Sequence, residues 1–253
     1  MEYGICNLAV VPLRAEPNER SEQVSQVLFG EAFEILEWQE HWVQIITAYD
    51  NYKGWIARLQ VNPLGHIAYK QIKNGHVPQT HRAITQAWKK ADNSVLYLPV
   101  GSSLVFLEGD RCKIGHETFT IVGEIGASTN IATTAKSFLN SPYLWGGRTH
   151  LGIDCSGFTQ SVFKLHDIKI DRDASQQAKQ GTEVTDLKTV KLGDLAFFEN
   201  KDARIIHVGI MLDQKHIIHA SGRVKIELFD EKGIYSEEQK RYTHKFCIMK
   251  RYF

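Results

Sequence analysis

The stretch from Ser141 to Phe158, with the sequence SPYLWGGRTHLGIDCSGF, places the strongest constraint on the fold, because a glycine-rich loop runs directly into a helical pattern at one cysteine. Three glycines disfavour regular structure before this point: Gly146, Gly147 and Gly152. Apolar residues then recur at helical spacing, at Phe158, Val162 and Leu165. The pattern therefore predicts that Cys155 lies at the N-terminus of a helix.

This position favours a reactive thiol at Cys155. Unpaired amide N–H groups and the helix dipole stabilise a thiolate there, and first-turn amides can donate to the oxyanion formed when a carbonyl is attacked. Lowering a thiol pKa from about 8.5 to near 4 requires about 6 kcal/mol. A helix terminus supplies at most about 2 kcal/mol. We therefore expect a histidine to supply most of the stabilisation as an imidazolium.

The segment from Ala203 to Gly222, ARIIHVGIMLDQKHIIHASG, predicts a β-hairpin that carries two histidines and turns at Asp213 to Lys215. In the register that we predict, His207 lies directly opposite His219, with Cβ atoms about 5 Å apart. A register two residues different makes them diagonal neighbours, still within reach of each other. One histidine could accept the cysteine proton while the other orients its ring, as in cysteine peptidases.

Five motifs follow one another in the second half of the chain. They are Tyr143-x-Trp145-Gly146-Gly147, Gly152-x-Asp154-Cys155-Ser156-Gly157-Phe158, Gly193-Asp194-Leu195-x-Phe197-Phe198, His207-Val208-Gly209-Ile210 and His219-Ala220-Ser221-Gly222. Together they resemble the NlpC-type papain-like cysteine peptidases, thiol proteases that hydrolyse peptidoglycan peptides of the cell wall. The resemblance implies that Cys155 is the nucleophile, His207 the general base and His219 the orienting residue.

The first half of the chain predicts two small β-barrels. Short alternating segments separated by turn residues run from Asn7 to about Pro63. A weaker copy follows from about His81 to Gly126, in which Gly101 to Glu108 repeats the pattern of Gly30 to Glu37. The pair resembles bacterial SH3-like domains, which commonly precede NlpC-type domains. The predicted domains are a first SH3-like barrel at 1–63, a connector and second SH3-like barrel at 64–126, and a papain-like catalytic domain at 127–253.

The catalytic half predicts an α+β fold, because helical patterns come first and strands follow. A helix is predicted between Ala127 and Asn140, with Ser128 or Thr129 as its N-cap. A second capped helix is predicted at 171–181, ended by a glycine. Further strands are predicted at 194–198, 224–229 and 245–251. We expect the cysteine helix to pack on the sheet that carries both histidines.

The family resemblance also implies substrate-binding residues in the catalytic half. In relatives that act on free muropeptides, the residues matching Asp154, Ser156 and Ser175 recognise the L-Ala-γ-D-Glu end of the substrate. Asp154 could instead only cap its helix. Tyr143 matches a tyrosine near the oxyanion site, although a packed aromatic is the alternative. Trp145 is predicted to form a pocket wall or part of the core.

Further candidates for substrate recognition lie in both halves of the chain. Arg148 either binds the α-carboxylate of the D-glutamyl unit or is a solvated loop residue. In relatives with two barrels, an acidic residue and a tyrosine of the first barrel close the end of the cleft, so that only peptides beginning at L-Ala enter. Tyr52 and Glu16, with Glu31 as a second acidic candidate, are the residues predicted for this role.

The charge balance gives no electrostatic case for nucleic acid as a partner, because 30 basic and 29 acidic residues leave a net charge of +1. No cofactor is expected. A zinc site of Cys155, His207 and His219 is disfavoured, since structural zinc sites generally use closely spaced ligand pairs. No apolar stretch approaches the length of a membrane span, and the first twenty residues do not match a secretory signal. The expected location is cytoplasmic, unless an export signal has been removed.

These features together predict a cysteine endopeptidase of muropeptide recycling, which cleaves the γ-D-glutamyl to L-diamino acid bond of peptidoglycan-derived peptides. Two alternatives remain open from the sequence. The chain could be a non-catalytic protein that binds the cell wall through its barrels. It could also be a papain-like amidase or acyltransferase whose substrate does not come from the wall.

Overall fold

The computed structural model describes residues 2–123 and 130–253. The chain divides into two compact units, Met1–Ala127 and Ser128–Phe253. Within the described ranges, no helix is long and apolar enough to span a bilayer. The first unit is rich in strands and the second combines helices with strands, so the predicted fold class is confirmed.

Antiparallel strands form two sheets in the first unit. Its elements are β1 (Tyr3–Ile5), β2 (Val10–Arg14), β3 (Gln23–Leu28), β4 (Ala32–Trp38), β5 (Trp42–Thr47), β6 (Lys53–Ala57), a 3-10 turn (Arg58–Gln60), β7 (Asn62–Pro63), α1 (His66–Asn74), β8 (Ile84–Lys89), β9 (Val95–Pro99), β10 (Arg111–Ile114) and β11 (Glu117–Val122). One sheet has the strand order β3-β2-β6-β5-β4-β1-β7, and the other has the order β10-β11-β8-β9.

Burial alternates along two strands of the first barrel. In β5, every second residue from Val43 onward is buried, and β2 follows the same pattern from Val11. The buried faces meet in one core, which includes Val11, Leu13, Val27, Phe33, Val43, Ile45 and Ile56. The strand period of two therefore decides which face of β2 and of β5 is buried.

The second, smaller sheet differs in part from the predicted copy. Residues 30–37 begin at a glycine turn and continue into β4, whereas residues 101–108 form turns and isolated bridges outside the named strands. The two segments share their glycine conformation, since φ is +76° at Gly30 and +77° at Gly101. Phe106 also has a positive φ, of 50°, which is incompatible with a continuing strand. The repeat therefore preserves the turn and loses the strand.

The predicted connector between the barrels contains a helix that the sequence analysis missed. Gly65 and Gly75 flank α1, and its composition is largely polar, so its helical pattern is weak. Packing stabilises it: the ring of Tyr69 stacks on Tyr3 with centroids 4.2 Å apart. The buried Tyr69 also donates a hydrogen bond of 2.7 Å from its hydroxyl to Glu34.

The second unit places its helices before most of its strands, as predicted. Its elements are α2 (Ile131–Ser137), β12 (Arg148–Thr149), β13 (Gly152–Ile153), α3 (Cys155–Lys164), α4 (Ala174–Gln177), β14 (Thr182–Glu183), a 3-10 turn (Leu187–Thr189), β15 (Leu195–Glu199), β16 (Ile205–Met211), β17 (His216–Ser221), β18 (Arg223–Asp230), β19 (Gly233–Ser236) and β20 (Arg241–Arg251). The large sheet has the order β14-β20-β15-β16-β17-β18-β19. Because β19 also pairs with β20, six strands close into a barrel.

Two predicted helices are shorter than their sequence patterns. Asn130 caps α2 by accepting a hydrogen bond of 2.9 Å from the amide of Thr133, whereas the predicted caps Ser128 and Thr129 lie outside the described residues. The predicted helix at 171–181 is reduced to the four residues of α4, which Asp173 caps in a reciprocal box with Gln176. The chain turns away at Gly181, whose φ is +68°.

The helix α3 is the centre of the second unit. All ten of its residues are buried, and it packs against β16 and β17. Its polar side chains find internal partners, as when Thr159 donates a hydrogen bond of 2.8 Å to Gln177. A helix enclosed in this way holds its first residue, Cys155, in a fixed position.

Candidate active site

The glycine-rich loop packs directly on the first turn of α3. The Asp154 carboxylate accepts a hydrogen bond of 2.6 Å from the amide of Gly157 and so caps the helix. A Cβ atom at Gly157 would lie 2.3 Å from the carbonyl oxygen of Gly147, so only glycine permits this approach. The Cys155 side chain follows the cap and is 5% exposed. The predicted position of the cysteine is therefore what the structure shows.

Asp154 forms a buried ion pair with Arg172. The Arg172 guanidinium donates to both carboxylate oxygens, at 3.0 and 2.6 Å, and a third hydrogen bond of 2.8 Å comes from the amide of Gly146. Arg172 also donates to the Ser156 hydroxyl at 2.9 Å. The capping role considered for Asp154 is thus present. Substrate binding by Asp154 and Ser156 stays a prediction.

The two histidines lie on neighbouring strands of the predicted hairpin, but not in the predicted register. His219 faces Gly209, so His207 and His219 are diagonal neighbours, and the direct opposition predicted from the sequence is wrong. The turn is centred on Gln214, one residue later than that register requires, since the amide of Leu212 donates a hydrogen bond of 2.9 Å to the carbonyl of His216. The diagonal pair still meets, with 2.8 Å between Nε2 of His207 and Nδ1 of His219.

The cysteine and the hairpin meet at β16. The backbone N–H of Val208, the residue after His207, lies close enough to the Cys155 thiol to lower its pKa. The amide of Ser156 in the first turn of α3 acts in the same direction. Both amides favour the thiolate, so they are candidates to face an oxyanion formed beside Sγ.

Burial sets the resting protonation state of this site. It raises the pKa of the Cys155 thiol to about 12, with a further contribution from the negative charge of Asp154. Burial also lowers the pKa of His207 well below its ordinary value, and the neighbouring His219, His244 and Lys225 lower it further. Both directions favour a neutral thiol and a neutral imidazole at rest, whereas the sequence analysis predicted a thiolate stabilised by an imidazolium.

Glu227 and Lys225 lie beside the two histidines, and the sequence analysis missed both. The Glu227 carboxylate lies 2.9 Å from Nε2 of His219 and 3.1 Å from Nζ of Lys225. The signal was present in the sequence. A tight turn at Gly222, whose φ is +72°, pairs the flanking residues and so places Lys225 opposite His219, with Glu227 as its diagonal neighbour.

His244 is a third histidine beside the pair. Its ring stacks on that of His207, with centroids 4.1 Å apart and planes 25° apart. Its Nδ1 lies 2.8 Å from the hydroxyl of Thr243. Burial lowers the pKa of His244 to about 4. His244 belongs to the last strand, β20, and no local sequence pattern connects it with the hairpin.

The three histidines are also the residues best placed to hold a metal ion, since their donor atoms lie within 4.8 Å of one another. The geometry does not suit coordination. Two of the nitrogens are 2.8 Å apart in a hydrogen bond, so the lone pair of one nitrogen points at the other ring and not at a shared ion. A tetrahedral site needs convergent lone pairs at about 2.0 to 2.1 Å from the ion.

The remaining predicted residues of the catalytic unit have different surroundings. Burial raises the pKa of Tyr143, and the nearby Cys155 and Asp154 raise it further, so its hydroxyl remains a donor. Trp145 is 58% exposed in the loop before the nucleophile, which fits a pocket wall rather than a core residue. Ser175 is exposed on α4.

Arg148 is 3% exposed, so the alternative of a solvated loop residue is wrong. Tyr52 is half-buried against the barrel core, and Glu16 is exposed in the loop after β2. Glu31 is buried and accepts a hydrogen bond of 2.9 Å from the amide of Leu28, which gives it a structural role.

Comparison with known proteins decides the family. The profile of the NlpC/P60 family matches residues 140–246, and that of the bacterial dipeptidyl-peptidase Sh3 domain matches residues 13–60. Over 214 residues the chain is 31% identical to the gamma-D-glutamyl-L-lysine dipeptidyl-peptidase of Bacillus subtilis. This aligned region covers 78% of this chain and 71% of that protein. The chain belongs to the NlpC/P60 family.

Two further NlpC/P60 relatives resemble the whole chain. Dipeptidyl-peptidase 6 of Lysinibacillus sphaericus is 28% identical over 252 residues, which cover 87% of this chain and 89% of that protein. The crystal structure of an NlpC/P60 family protein from Bacillus cereus superposes with a TM-score of 0.81 over 99% of both chains, at 18% identity, and so shows a shared fold. The NlpC/P60 family is a family of cysteine peptidases. The membership of this chain in that family supports the function of a peptidoglycan peptidase.

Proposed function

We propose that this chain is a cysteine endopeptidase that hydrolyses the γ-D-glutamyl to L-diamino acid bond of peptidoglycan peptides with a free N-terminal L-Ala. One observation carries the proposal: Cys155 begins a buried helix that packs against β16 and β17, the strands on which His207 and His219 are hydrogen-bonded to each other. The name of the Bacillus subtilis relative, a gamma-D-glutamyl-L-lysine dipeptidyl-peptidase, supports the choice of bond.

Acylation begins with Cys155 and His207 both uncharged. The Cys155 thiol gives its proton to His207 while Sγ attacks the γ-carbonyl carbon of D-Glu. The first-turn amide of Ser156, the amide of Val208 and the Tyr143 hydroxyl are the donors available to the oxyanion. His207 then gives the proton to the amine of the diamino acid, which leaves as the C–N bond breaks.

Deacylation repeats these roles with water. His207 removes a proton from a water molecule as its oxygen attacks the thioester carbon, and the C–S bond breaks to release L-Ala-γ-D-Glu. The proton held by His207 returns to Cys155, which restores the neutral pair. His219 holds the His207 ring in place through both steps by their 2.8 Å hydrogen bond.

The proposal includes recognition of the free amino end of the substrate. As the family resemblance implies, Glu16 and Tyr52 of the first barrel would bind the L-Ala ammonium, and Ser175 with Asp154 and Ser156 would bind the dipeptide. The exposed carboxylate of Glu16 has the charge that this role requires. If the anchor exists, N-acetylating the L-Ala of the substrate removes cleavage, whereas equal rates on both forms would exclude it.

Mass spectrometry of defined peptides tests the proposed bond. L-Ala-γ-D-Glu-L-Lys and L-Ala-γ-D-Glu-diaminopimelate are each incubated with the wild type and with Cys155→Ala. We expect the wild type alone to release a free diamino acid, and the faster peptide identifies the preferred one. Failure of the wild type on both peptides would refute the proposed substrate. Intact peptidoglycan and amides from outside the wall would then be the next substrates to test.

A further inference from the structure

We propose that Glu227 is a positioning residue of this site: through His219 it determines which nitrogen of His207 carries a proton, and it stabilises the positive charge that His207 gains during attack. The inference rests on the proposed function only in taking Cys155 and His207 as the reacting pair. None of the five family motifs in this chain includes this carboxylate.

The carboxylate is buried and ionised. Glu227 is 9% exposed, and its Oε2 lies 2.9 Å from Nε2 of His219, which is fully buried. Burial alone would raise the pKa of Glu227, but hydrogen bonds from His219, Ser236 and Lys225 lower it to about 2. An ionised carboxylate only accepts hydrogen bonds, so Nε2 of His219 must carry the hydrogen.

This hydrogen fixes the tautomers along the pair. A neutral imidazole has one N–H, so Nδ1 of His219 holds a lone pair. At 2.8 Å from it, Nε2 of His207 must then be the donor. The lone pair of His207 is thereby left on Nδ1, the nitrogen that is not bonded to His219. Glu227 thus prepares His207 to accept a proton at Nδ1.

Glu227 also offsets the local positive charge. The titratable and charged groups that act on His207 are His219 on β17, Lys225 on β18 and His244 on β20. Glu227 on β18 lies behind His219, and Cys155 begins α3, which packs against β16. Lys225 opposes protonation of His207. Because Glu227 lies 3.1 Å from Nζ of Lys225, its negative charge counteracts that opposition.

Alkylation of Cys155 by iodoacetamide measures this effect without any peptide substrate. The rate follows the fraction of molecules in which the proton has moved from the thiol to His207, so it rises with pH as His207 becomes available and then reaches a plateau. The exposed Cys247 is replaced by serine in every protein, and the peptide that contains Cys155 is followed by mass spectrometry.

Glu227→Gln retains a hydrogen-bond acceptor and removes the charge. We expect the plateau rate to fall about tenfold, the scale of a unit charge acting across one imidazole ring at an effective dielectric constant of about 20. The midpoint of the rise should move to lower pH, because the imidazolium is less stable. Glu227→Leu removes the acceptor as well, and we expect a loss of about a hundredfold or more, since the tautomer is no longer fixed.

Two control variants separate charge from fold. Lys225→Met removes the opposing cation, so the midpoint should move to higher pH and the plateau should rise. Asp213→Asn removes another carboxylate that bonds a histidine of the same hairpin, His216, at 2.8 Å, but this pair is exposed. We expect its alkylation profile to match that of the wild type.

Superimposable profiles for the wild type and Glu227→Gln would overturn the proposal, as would a shift of Lys225→Met in the same direction as Glu227→Gln. If Glu227→Leu does not fold, the glutamine and lysine variants still decide, since a purely structural role does not move two midpoints in opposite directions. The assay is independent of the cleaved bond. A wild type that alkylates as expected but cleaves no wall peptide would refute the proposed substrate and leave the role of Glu227 intact.

Discussion

Arg172 holds the carboxylate of Asp154 with both of its terminal nitrogens, at 2.6 and 3.0 Å, immediately before the candidate nucleophile. Arg172 is 1% exposed and Asp154 is 5% exposed. The pair thus joins the start of the helix α3 to the segment before α4. The cap, the loop amide of Gly146 and the guanidinium together determine where Cys155 lies.

Breaking this pair should destabilise the second unit strongly. Arg172→Met leaves the Asp154 carboxylate buried without its partner, and we expect a loss of about 3 to 5 kcal/mol in the free energy of unfolding. Lys245→Met is the matched control, because it removes an exposed ion pair with Glu199 and should cost less than about 1 kcal/mol. Denaturant unfolding of both variants measures the difference, and equal losses would contradict the structural role of Arg172.

Substitutions of the reacting pair and its orienting residue should have graded effects on peptide cleavage. Cys155→Ala should abolish turnover, and His207→Ala should lower kcat by a factor of about 10³ to 10⁴. His219→Gln should retain measurable activity, because glutamine can still accept the hydrogen bond from His207. Initial rates of diamino acid release measure all three, with Cys247→Ser as the control. A full rate in Cys155→Ala would remove Cys155 from the chemistry.

The acid-side midpoint in the pH dependence of kcat/KM should lie below the ordinary pKa of histidine, about 6.5. Burial and the neighbouring His219, His244 and Lys225 lower the pKa of His207, so the imidazole remains able to accept a proton below pH of about 6.5. Activity should persist there and be lost as the pH falls through the lowered pKa. The pH dependence of kcat/KM measures this midpoint. A midpoint at or above that of free imidazole would contradict the burial argument.

The Tyr143 hydroxyl should act mainly on the chemical step. Its raised pKa keeps it protonated, and its pKa responds to Cys155, so Tyr143→Phe removes a donor near the reacting sulfur. We expect kcat to fall by up to about 10²- to 10³-fold, the scale reported for one oxyanion donor, with a smaller change in KM. Tyr97→Phe, on an exposed tyrosine of the first unit, is the control. An unchanged kcat in Tyr143→Phe would assign this ring a packing role.

Much of the site was predictable because its signals are local. The glycines before Cys155 and the apolar spacing after it define a loop and a helix start, and the apolar runs around His207 and His219, joined by a polar turn, define a hairpin. The register of that hairpin was missed by two residues, because the polar turn does not show which of its residues lies at its centre. The diagonal contact survives because side chains of one strand face recur every second residue.

The sequence by itself determined the helix start at Cys155, the two histidine strands and the family, because each depends on residues near one another along the chain. Only the tertiary structure decided that Arg172 pairs with the capping residue Asp154 and that His244 stacks on His207. The last contact exists because β15 pairs with both β16 and β20, which brings the final strand close to His207. Such contacts depend on how distant strands pack, and no periodicity within either segment specifies that packing.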